Sequence, residues 1–229
     1  MATTTEPRRC DPAAVAAILA KLPPVFAACL DKGDVNPRFD LTCPAVFGEY
    51  VYATDGRVAV RMPCDPELAK EIDAAREGTR CPRIPDVFSG EWSDEPLAMP
   101  TDFTAATCER CQGKGVSDTT TCKTCKGEGY YECFECGQDV RCDECRGKGE
   151  ATYKGREFKC EYCDGTGQNG MTKISCGPVH IAYRFLSIVR DAGAVLYPAK
   201  EMPAKNAVLW RVPGTDIEGL VMPILSTKD

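Results

Sequence analysis

Four copies of the motif Cys-x-x-Cys-x-Gly-x-Gly are the feature that most constrains the fold of this chain. They read CERCQGKG from Cys108, CKTCKGEG from Cys122, CDECRGKG from Cys142 and CEYCDGTG from Cys160. A Cys-x-x-Cys turn lets two sulfur atoms reach one ion, and two such turns complete a tetrahedral zinc site of four cysteines. The glycines suit a chain that wraps round a thiolate, because that path requires positive φ angles. The repeats therefore predict bound zinc.

Cysteine usage also bears on the compartment in which the chain works. The sequence has 16 cysteines, and ten of them fall between Cys108 and Cys163 as Cys-x-x-Cys pairs. Near the start, the short apolar run AAVAAILA is preceded by Asp11 and Pro12 and followed by Lys21, which is not the pattern of an export signal. No apolar run approaches the ~18 residues that span a bilayer, so no membrane association is predicted. We expect a reducing cytoplasm, where regular cysteine pairs indicate metal rather than disulfides.

Composition divides the chain into a leader, an interrupted globular domain and an insert. Residues 1–10 read as a disordered leader, and residues 11–103 and 177–229 have the composition of ordinary globular sequence. Residues 104–176 are rich in Gly, Cys and Thr and poor in aliphatic side chains. Such a segment cannot build a hydrophobic core and needs metal in order to fold. We therefore predict one discontinuous domain that is interrupted by a zinc-binding insert.

The two globular segments predict an α+β fold with an antiparallel sheet. DPAAVAAILAKL has an N-cap and a proline in its first turn, and PELAKEIDAAREG reads as a second helix that ends near Gly78. EYVYATDGRVAVRMP alternates apolar and polar residues around Asp55 and Gly56, which indicates a hairpin. After the insert, HIAYRFLSIVRDAG predicts a helix that stops at Gly193, and AVLYPA, NAVLWRVP and EGLVMPIL predict strands. Neither segment alone has enough strands to close a core, so we expect both in one domain.

The fourfold repeat resembles the cysteine-rich domain of DnaJ-type co-chaperones, over about residues 108 to 167. In that family the first repeat shares zinc with the fourth, and the second with the third. The resemblance implies two zinc ions and an arm that binds unfolded or extended peptide. The implied ligand sets are Cys108, Cys111, Cys160 and Cys163 for one site, and Cys122, Cys125, Cys142 and Cys145 for the other. An insert must also return its ends close together, which independently favours joining the first repeat to the last.

Other parts of a J-domain co-chaperone have no counterpart in the sequence. A J domain carries a His-Pro-Asp tripeptide, whereas the only histidine of this chain, His180, lies in VHIAY. The sequence after the insert does not read as a long β-sandwich substrate domain. We therefore do not expect a partnership with the 70-kDa chaperone.

A fifth pair, Cys133 and Cys136, lacks the Gly-x-Gly tail, and the sequence leaves several roles open for it. One is that it displaces the second repeat and forms a compact ribbon with the third. Another is a third metal site with Cys176 and His180, whose Cys-x3-His spacing suits a ligand set, although His180 is also expected at the start of its helix without a ligand role. Otherwise the pair is a solvent-facing dithiol at the tip of a hairpin, either idle or redox-active. Two zinc ions are expected, or three if the extra residues bind metal.

The flanking segments resemble a single domain of a DNA sliding clamp (processivity factor). YVYATDGRVAVRMP is similar to the clamp hairpin with its TDG turn, and the C-terminal stretch follows the clamp order of helix, strands and a last strand that ends in Met-Pro. In bacterial clamps this terminal segment helps to line the groove where partner peptides dock, which implies a partner groove at Met222, Pro223 and Ile224. The same stretch also reads as a buried closing strand. A single domain cannot encircle DNA, so clamp function would require oligomerisation.

The sequence predicts a binding protein rather than an enzyme. A single histidine disfavours Ser-His-Asp and Cys-His catalysis. Each Gly-x-Gly pair belongs to a cysteine motif and not to a nucleotide-binding loop after a strand. A zinc ion held by four thiolates also lacks the open position that catalysis requires.

Three functions are compatible with these patterns. The first is a zinc-stabilised module that binds a protein or peptide partner. The second is an accessory protein of DNA replication or repair, and the third is a thiol-disulfide oxidoreductase that uses Cys133 and Cys136. The net charge of −6, and eleven basic against twelve acidic side chains in residues 104–175, weaken the prediction of direct DNA binding.

Overall fold

The protein has an α+β fold that divides into two compact units. The structure is a computed structural model and describes residues 9–30, 38–133, 136–153, 155–200 and 207–224. Unit 1 comprises Met1–Phe103 and Lys173–Asp229, and unit 2 comprises Thr104–Thr172. Helices and antiparallel strands are both present, so the predicted α+β class is confirmed. The finer likeness of unit 1 to a clamp domain stays a prediction.

The helices and strands are numbered along the chain. The helices are α1 (Pro12–Leu19), α2 (Pro24–Cys29), α3 (Pro66–Ala75) and α4 (Tyr183–Asp191), with a short 3-10 helix at Ile84–Phe88. The strands before and within unit 2 are β1 (Ala45–Phe47), β2 (Tyr50–Thr54), β3 (Val58–Pro63), β4 (Val116–Ser117), β5 (Thr119–Thr121), β6 (Tyr130–Glu132), β7 (Asp139–Arg141), β8 (Glu150–Thr152) and β9 (Phe158–Lys159). The later strands are β10 (Lys173–Cys176), β11 (Val179–Ala182), β12 (Val195–Tyr197), β13 (Val208–Arg211) and β14 (Glu218–Val221).

Local sequence explains where two of the helices begin. The carboxylate of Asp11 accepts a hydrogen bond from the N–H of Ala13, and Asp65 does the same for Glu67 and Leu68 at the start of α3. Both helices have proline in the first turn, where the missing N–H costs no helical hydrogen bond. The N-cap predicted at Asp11 is therefore confirmed, and Asp65 caps α3 in the same way.

The main sheet of unit 1 takes strands from both globular segments. Its order is β1-β2-β3-β14-β13-β12, with antiparallel pairing throughout. The two segments meet at the β3–β14 pair, where Val58 lies opposite Val221 and Arg61 lies opposite Glu218. Arg61 also donates two hydrogen bonds to the Glu218 carboxylate, at 2.8 and 2.5 Å. Each segment supplies three of the six strands, so the sheet needs both.

Apolar side chains cover both faces of this sheet. One face packs against the helices around the fully buried Phe26, Leu186 and Trp210. The opposite face packs against the 3-10 helix, with Tyr52 and Phe88 in edge-to-face contact at 5.7 Å between ring centroids. Unit 1 thus has a hydrophobic core that does not involve metal.

Three boundaries differ from the sequence-based prediction. The sequence predicts a disordered leader at residues 1–10, of which residues 1–8 lie outside the described ranges. Cys10 is buried and its N–H donates to Asp40 at 2.7 Å, so the end of the predicted leader is wrong. The insert ends at Thr172 rather than at residue 176, because β10 pairs with β11 inside unit 1. The later helix starts at Tyr183, and His180 lies in β11 instead.

Within the described ranges, no helix has the length and apolar character that a transmembrane span requires.

Close packing at Gly219 gives a first testable prediction. An added Cβ would lie 2.1 Å from Cζ2 of the fully buried Trp210 and 2.2 Å from the carbonyl oxygen of Ala59. We expect Gly219→Ala to lower the free energy of unfolding of unit 1 by about 1–3 kcal/mol through overpacking, measured by urea denaturation followed by tryptophan fluorescence.

Gly90→Ala is the matched control, because its added Cβ also faces a tryptophan, Trp92, but at 3.1 Å and with room for the partly exposed ring to shift. Equal losses of stability in the two variants would contradict the packing argument.

Candidate metal centres

Two groups of four buried cysteines lie in unit 2, and the sulfur atoms of each group are within 4.8 Å of one another. Centre 1 consists of Cys108, Cys111, Cys160 and Cys163, and centre 2 of Cys122, Cys125, Cys142 and Cys145. The cysteines of the first repeat are thus grouped with those of the fourth, and the cysteines of the second with those of the third. This is the grouping that the resemblance of the repeats implies. Each group could hold a metal ion, in agreement with two zinc ions.

The spacing of the sulfur atoms suits a tetrahedral metal site. Sγ of Cys111 and Cys163 are 3.7 Å apart, and centre 2 has sulfur pairs at 3.8 and 3.6 Å. A tetrahedron with metal–sulfur bonds near 2.3 Å has sulfur–sulfur edges of about 3.8 Å. A disulfide would require about 2.0 Å between sulfur atoms. The thiols therefore stand at the separation that a tetrahedral metal site requires.

The four repeats share one backbone path. In each, the residue after the second cysteine has a left-handed conformation although it is not glycine: Gln112, Lys126, Arg146 and Asp164, with φ between 52° and 53°. Both glycines that follow also have positive φ, between 73° and 94°. This path turns the N–H of the second glycine onto the second cysteine sulfur of the same repeat, at 3.2–3.3 Å. Such N–H···S contacts stabilise the thiolate, which is the form that binds metal.

Glycine contacts between repeats match the grouping of the thiols. The second glycine of each repeat faces the carbonyl oxygen of the first glycine in the partner repeat. The added Cβ of Gly115 would lie 2.4 Å from Gly165 O, that of Gly167 2.3 Å from Gly113 O, that of Gly129 2.6 Å from Gly147 O, and that of Gly149 2.2 Å from Gly127 O. Any side chain at these four positions would collide with main chain, so the approach of the repeats requires glycine on both sides.

Backbone hydrogen bonds repeat the same pairing. The N–H of the first cysteine in each repeat donates to the second glycine carbonyl of the partner repeat, at 2.8–2.9 Å. These bonds run from Cys108 to Gly167, from Cys160 to Gly115, from Cys122 to Gly149 and from Cys142 to Gly129. Each centre is therefore held by two reciprocal main-chain bonds in addition to its sulfur atoms.

Short antiparallel ribbons lie along the chain between the two centres and between the two repeats of centre 2. β4 pairs with β9, β5 with β8, and β6 with β7, so the chain runs outward and then returns along itself. In the described part of unit 2, the buried clusters consist almost entirely of cysteines. The cluster at centre 1 contains only its four cysteines, and the cluster at centre 2 contains one further buried residue, Ala151, with the partly buried Tyr153 beside it. Unit 2 therefore lacks an apolar core in its described part.

Hydrogen bonds and burial set the protonation of the cysteines. Burial raises the pKa of Cys145, but the N–H of Gly149 and three adjoining thiols outweigh it and bring the pKa down to about 7, and the same balance gives Cys163 a pKa of about 7. Burial raises the pKa of Cys160 to about 11. The N–H of Cys145 lowers the pKa of Cys142, but burial and the neighbouring thiols raise it to about 11. Binding of a metal ion would release the protons that these thiols carry.

Sequence reasoning missed the side chains that brace the third and fourth repeats. The Glu161 carboxylate accepts hydrogen bonds from the hydroxyls of Thr120 and Thr121, at 2.6 and 2.5 Å, and Thr120 contributes most to lowering the pKa of Glu161. In the third repeat, Glu144 accepts from Thr124 and, at 2.7 Å, from Tyr153. These partners are separated by 9 to 41 residues in sequence. No local pattern signals such pairs.

The fifth cysteine pair lies apart from both centres. Cys133 follows β6 and is partly buried, and Cys136 precedes β7 and is exposed. The prediction that this pair displaces the second repeat is wrong, because Cys122 and Cys125 already lie beside Cys142 and Cys145. Whether the pair is redox-active stays a prediction.

Cys176 and His180 do not come together. The β10–β11 register sets Ser175 opposite His180 and Cys176 opposite Val179, so the two predicted ligands point to opposite faces of the ribbon. Cys176 is fully buried in the core of unit 1, and His180 Nδ1 lies 3.1 Å from the hydroxyl of Ser175. The predicted metal site that combines these two residues is therefore wrong.

The predicted partner groove lies directly after β14. The N–H of Met222 donates to Arg57 O at 2.8 Å, and the N–H of Ile224 donates to His180 O at 2.7 Å. Met222 is exposed, whereas Pro223 is half-buried and Ile224 packs against the core. A role of these residues in docking a partner stays a prediction.

No protein-family model, no curated protein and no solved structure matches the chain.

The glycine contacts predict a specific mutational effect. Gly149→Ala would set a Cβ 2.2 Å from Gly127 O, so the second and third repeats would have to separate. We expect at least about fivefold faster transfer of zinc from this variant to a competing chelator, because overpacking costs about 1–3 kcal/mol.

Gly155→Ala is the control, because Gly155 has nearly the same φ (76° against 74°) but no atom within 4 Å of the added Cβ. Both variants place alanine in a left-handed backbone conformation, but only Gly149→Ala creates a steric clash with main chain. Transfer rates that rise equally in both would contradict the role of the contact.

Metal removal should affect the two units differently. Because the described interior of unit 2 is built from thiols and unit 1 has an apolar core, we expect a strong chelator to abolish amide protection in residues 104–172 and to leave β2, β3, β13 and β14 protected. Hydrogen exchange with peptide-level mass spectrometry measures this. Loss of protection in the main sheet at the same chelator concentration would contradict it.

Proposed function

We propose that unit 2 is a zinc-stabilised module that binds an extended segment of a protein partner. The observation that carries the proposal is the placement of bulky apolar side chains on its surface. Tyr162 is 67% exposed, Tyr130 48%, Tyr131 39% and Val140 37%, while the eight cysteines of centres 1 and 2 are buried. Exposed aromatic groups beside polar ones are typical of surfaces that contact other proteins.

The β6–β7 ribbon offers both apolar contact and main-chain pairing. Tyr131 lies directly opposite Val140 in the register, so these two side chains share one face. In the described part of the chain, β6 pairs only with β7, which leaves the outer side of each strand unpaired. An extended peptide can add to such an edge through main-chain hydrogen bonds while its alternate side chains contact the exposed face. The ribbon therefore suits an unfolded or extended partner rather than a folded helix.

Charge favours a protein partner over DNA. Residues 104–175 carry eleven basic and twelve acidic side chains, and a zinc ion with four thiolates adds two further negative charges at each centre. Arg110 is engaged with Glu150, and Lys159 with Asp164. An acidic module, in which two of the cations are already paired with carboxylates, gains little from counterion release on a phosphate backbone.

The partner-binding surface can be tested with Val140→Ser. We expect this variant to bind a fluorescein-labelled peptide of alternating valine and lysine residues about fivefold more weakly than the wild type, because the substitution removes roughly 1 kcal/mol of apolar burial. Fluorescence anisotropy on the zinc-loaded chain measures the affinity.

Val87→Ser is the control, since Val87 is 56% exposed but lies in unit 1. Equal affinities of the wild type and Val140→Ser, or an equal loss in Val87→Ser, would overturn the assignment of the site. Salt-sensitive binding of duplex DNA without peptide binding would favour the alternative of a DNA accessory protein.

A further inference from the structure

A cleft lies beside centre 1 on the surface of unit 2, where Cys160 forms part of its wall. Its volume is about 270 Å³, just below the roughly 300–1,000 Å³ of pockets that enclose a whole small molecule. This size suits one long side chain of a partner. The lining includes Arg110, Thr120, Thr121, Glu150, Glu161 and Tyr162.

Main-chain pairing holds the walls of the cleft in place. Arg110 belongs to the first repeat and Tyr162 to the fourth, and the first cysteine of each of these repeats donates its N–H to the second glycine carbonyl of the other, at 2.9 Å. The remaining wall comes from β5 and β8, where Thr121 lies directly opposite Glu150. The cleft is therefore formed before any partner binds.

Charge in the cleft favours a cationic occupant. The lining contains two carboxylates, those of Glu150 and Glu161, and one guanidinium, that of Arg110, so its net charge is −1. Arg110 is already engaged with Glu150. In the described part of the chain, no lysine or arginine forms an ion pair with Glu161. One carboxylate of the cleft thus remains for a cation from a partner.

Two hydroxyl groups orient the Glu161 carboxylate and leave part of it able to accept further hydrogen bonds. Thr120 donates to Oε1 at 2.6 Å, and Thr121 donates to Oε2 at 2.5 Å. A carboxylate has about four lone-pair sites, so about two remain for an ammonium or guanidinium group. Because the hydroxyls already restrict this side chain, less conformational entropy is lost when a cation binds.

Tyr162 adds an aromatic surface to the same cleft. Its side chain is 67% exposed, and none of the ring–ring or cation–ring contacts among the described residues involves it. The face of a tyrosine ring attracts a lysine or arginine cation, and it also packs against the alkyl chain of that residue. A carboxylate and an aromatic ring in one cleft therefore match the two parts of a long basic side chain.

We propose that this cleft binds a lysine or arginine side chain of the extended segment, with the cationic group at Glu161 and the alkyl chain against Tyr162. The inference rests on the proposed function and names the class of segment that unit 2 selects, one that combines apolar with basic residues. The β6–β7 ribbon contacts the apolar residues. The cleft is a separate site, because the second repeat lies between β5 and β6 along the chain.

The test compares two fluorescein-labelled peptides on the zinc-loaded full chain by fluorescence anisotropy. One is the valine–lysine peptide, and the other is the same peptide with each lysine acetylated at Nζ, which removes the charge. We expect the wild type to bind the lysine peptide about fivefold more tightly than the acetylated one, and Glu161→Gln to bind both with nearly equal affinity. A zinc content of about 2 per chain checks that each variant is folded.

Glu144→Gln is the matched control. Glu144 also accepts hydrogen bonds from two hydroxyls, those of Thr124 and Tyr153, but it does not line the cleft. The substitution removes the same charge from unit 2, so it separates the cleft from general electrostatic attraction, and the fivefold preference should remain. A second variant, Tyr162→Leu, leaves the hydrogen bonds of Glu161 intact and should lower the preference to about twofold.

Several results would overturn the proposal. These are equal affinities of the wild type for the two peptides, a preference that survives Glu161→Gln, and an equal loss of preference in Glu144→Gln. Tighter binding of a valine–glutamate peptide would assign the cleft to an acidic segment and would overturn it as well.

Failure of the proposed function appears separately. Val140→Ser changes the ribbon and not the cleft, so it should weaken binding of both peptides by the same factor. If it weakens neither, the assignment of the ribbon is wrong, while a lysine preference that depends on Glu161 still supports the cleft. If the wild type binds neither peptide, both proposals are wrong.

Discussion

The close approach of paired glycines is the contact on which the structure of unit 2 depends. Each second glycine lies against the carbonyl oxygen of the first glycine in the partner repeat, at distances that admit no side chain. This approach brings the N–H of the first cysteine in one repeat within hydrogen-bonding distance of the second glycine carbonyl in the partner repeat. It also brings the four sulfur atoms of each centre to within 4.8 Å of one another. The glycines of the motif therefore bring two repeats together as well as turning one chain round a thiolate.

The two units are stabilised by different physical means. Unit 1 buries aliphatic and aromatic side chains on both faces of a six-stranded sheet, so the hydrophobic effect holds it together. Unit 2 has thiols where a domain of this size would have aliphatic side chains, and bulky groups such as Tyr162 lie outside. In such a module, coordination of a metal ion would supply the folding free energy that apolar burial supplies in unit 1.

Much of this organisation can be predicted from the sequence, because the signals are local. Periodicity and turn residues predict the hairpin around Gly56 and the helix capped by Asp11, and the resemblance of the four repeats to a known domain implies the grouping of thiols that the structure shows. Long-range choices are harder. The sequence predicts His180 at the start of a helix, but pairing with β10 holds it in a strand, and Cys10 is predicted in a leader although a hydrogen bond to Asp40 ties it to the fold. Tertiary contacts of this kind leave no periodic trace in the chain.

Zinc K-edge X-ray absorption on the reduced, zinc-loaded chain reports the atoms bound to the metal and therefore tests whether each centre is a four-cysteine zinc site. We expect four sulfur ligands at about 2.3 Å and no nitrogen or oxygen in the coordination shell. A shell that contains nitrogen or oxygen, or fewer than four sulfur atoms per zinc, would contradict it.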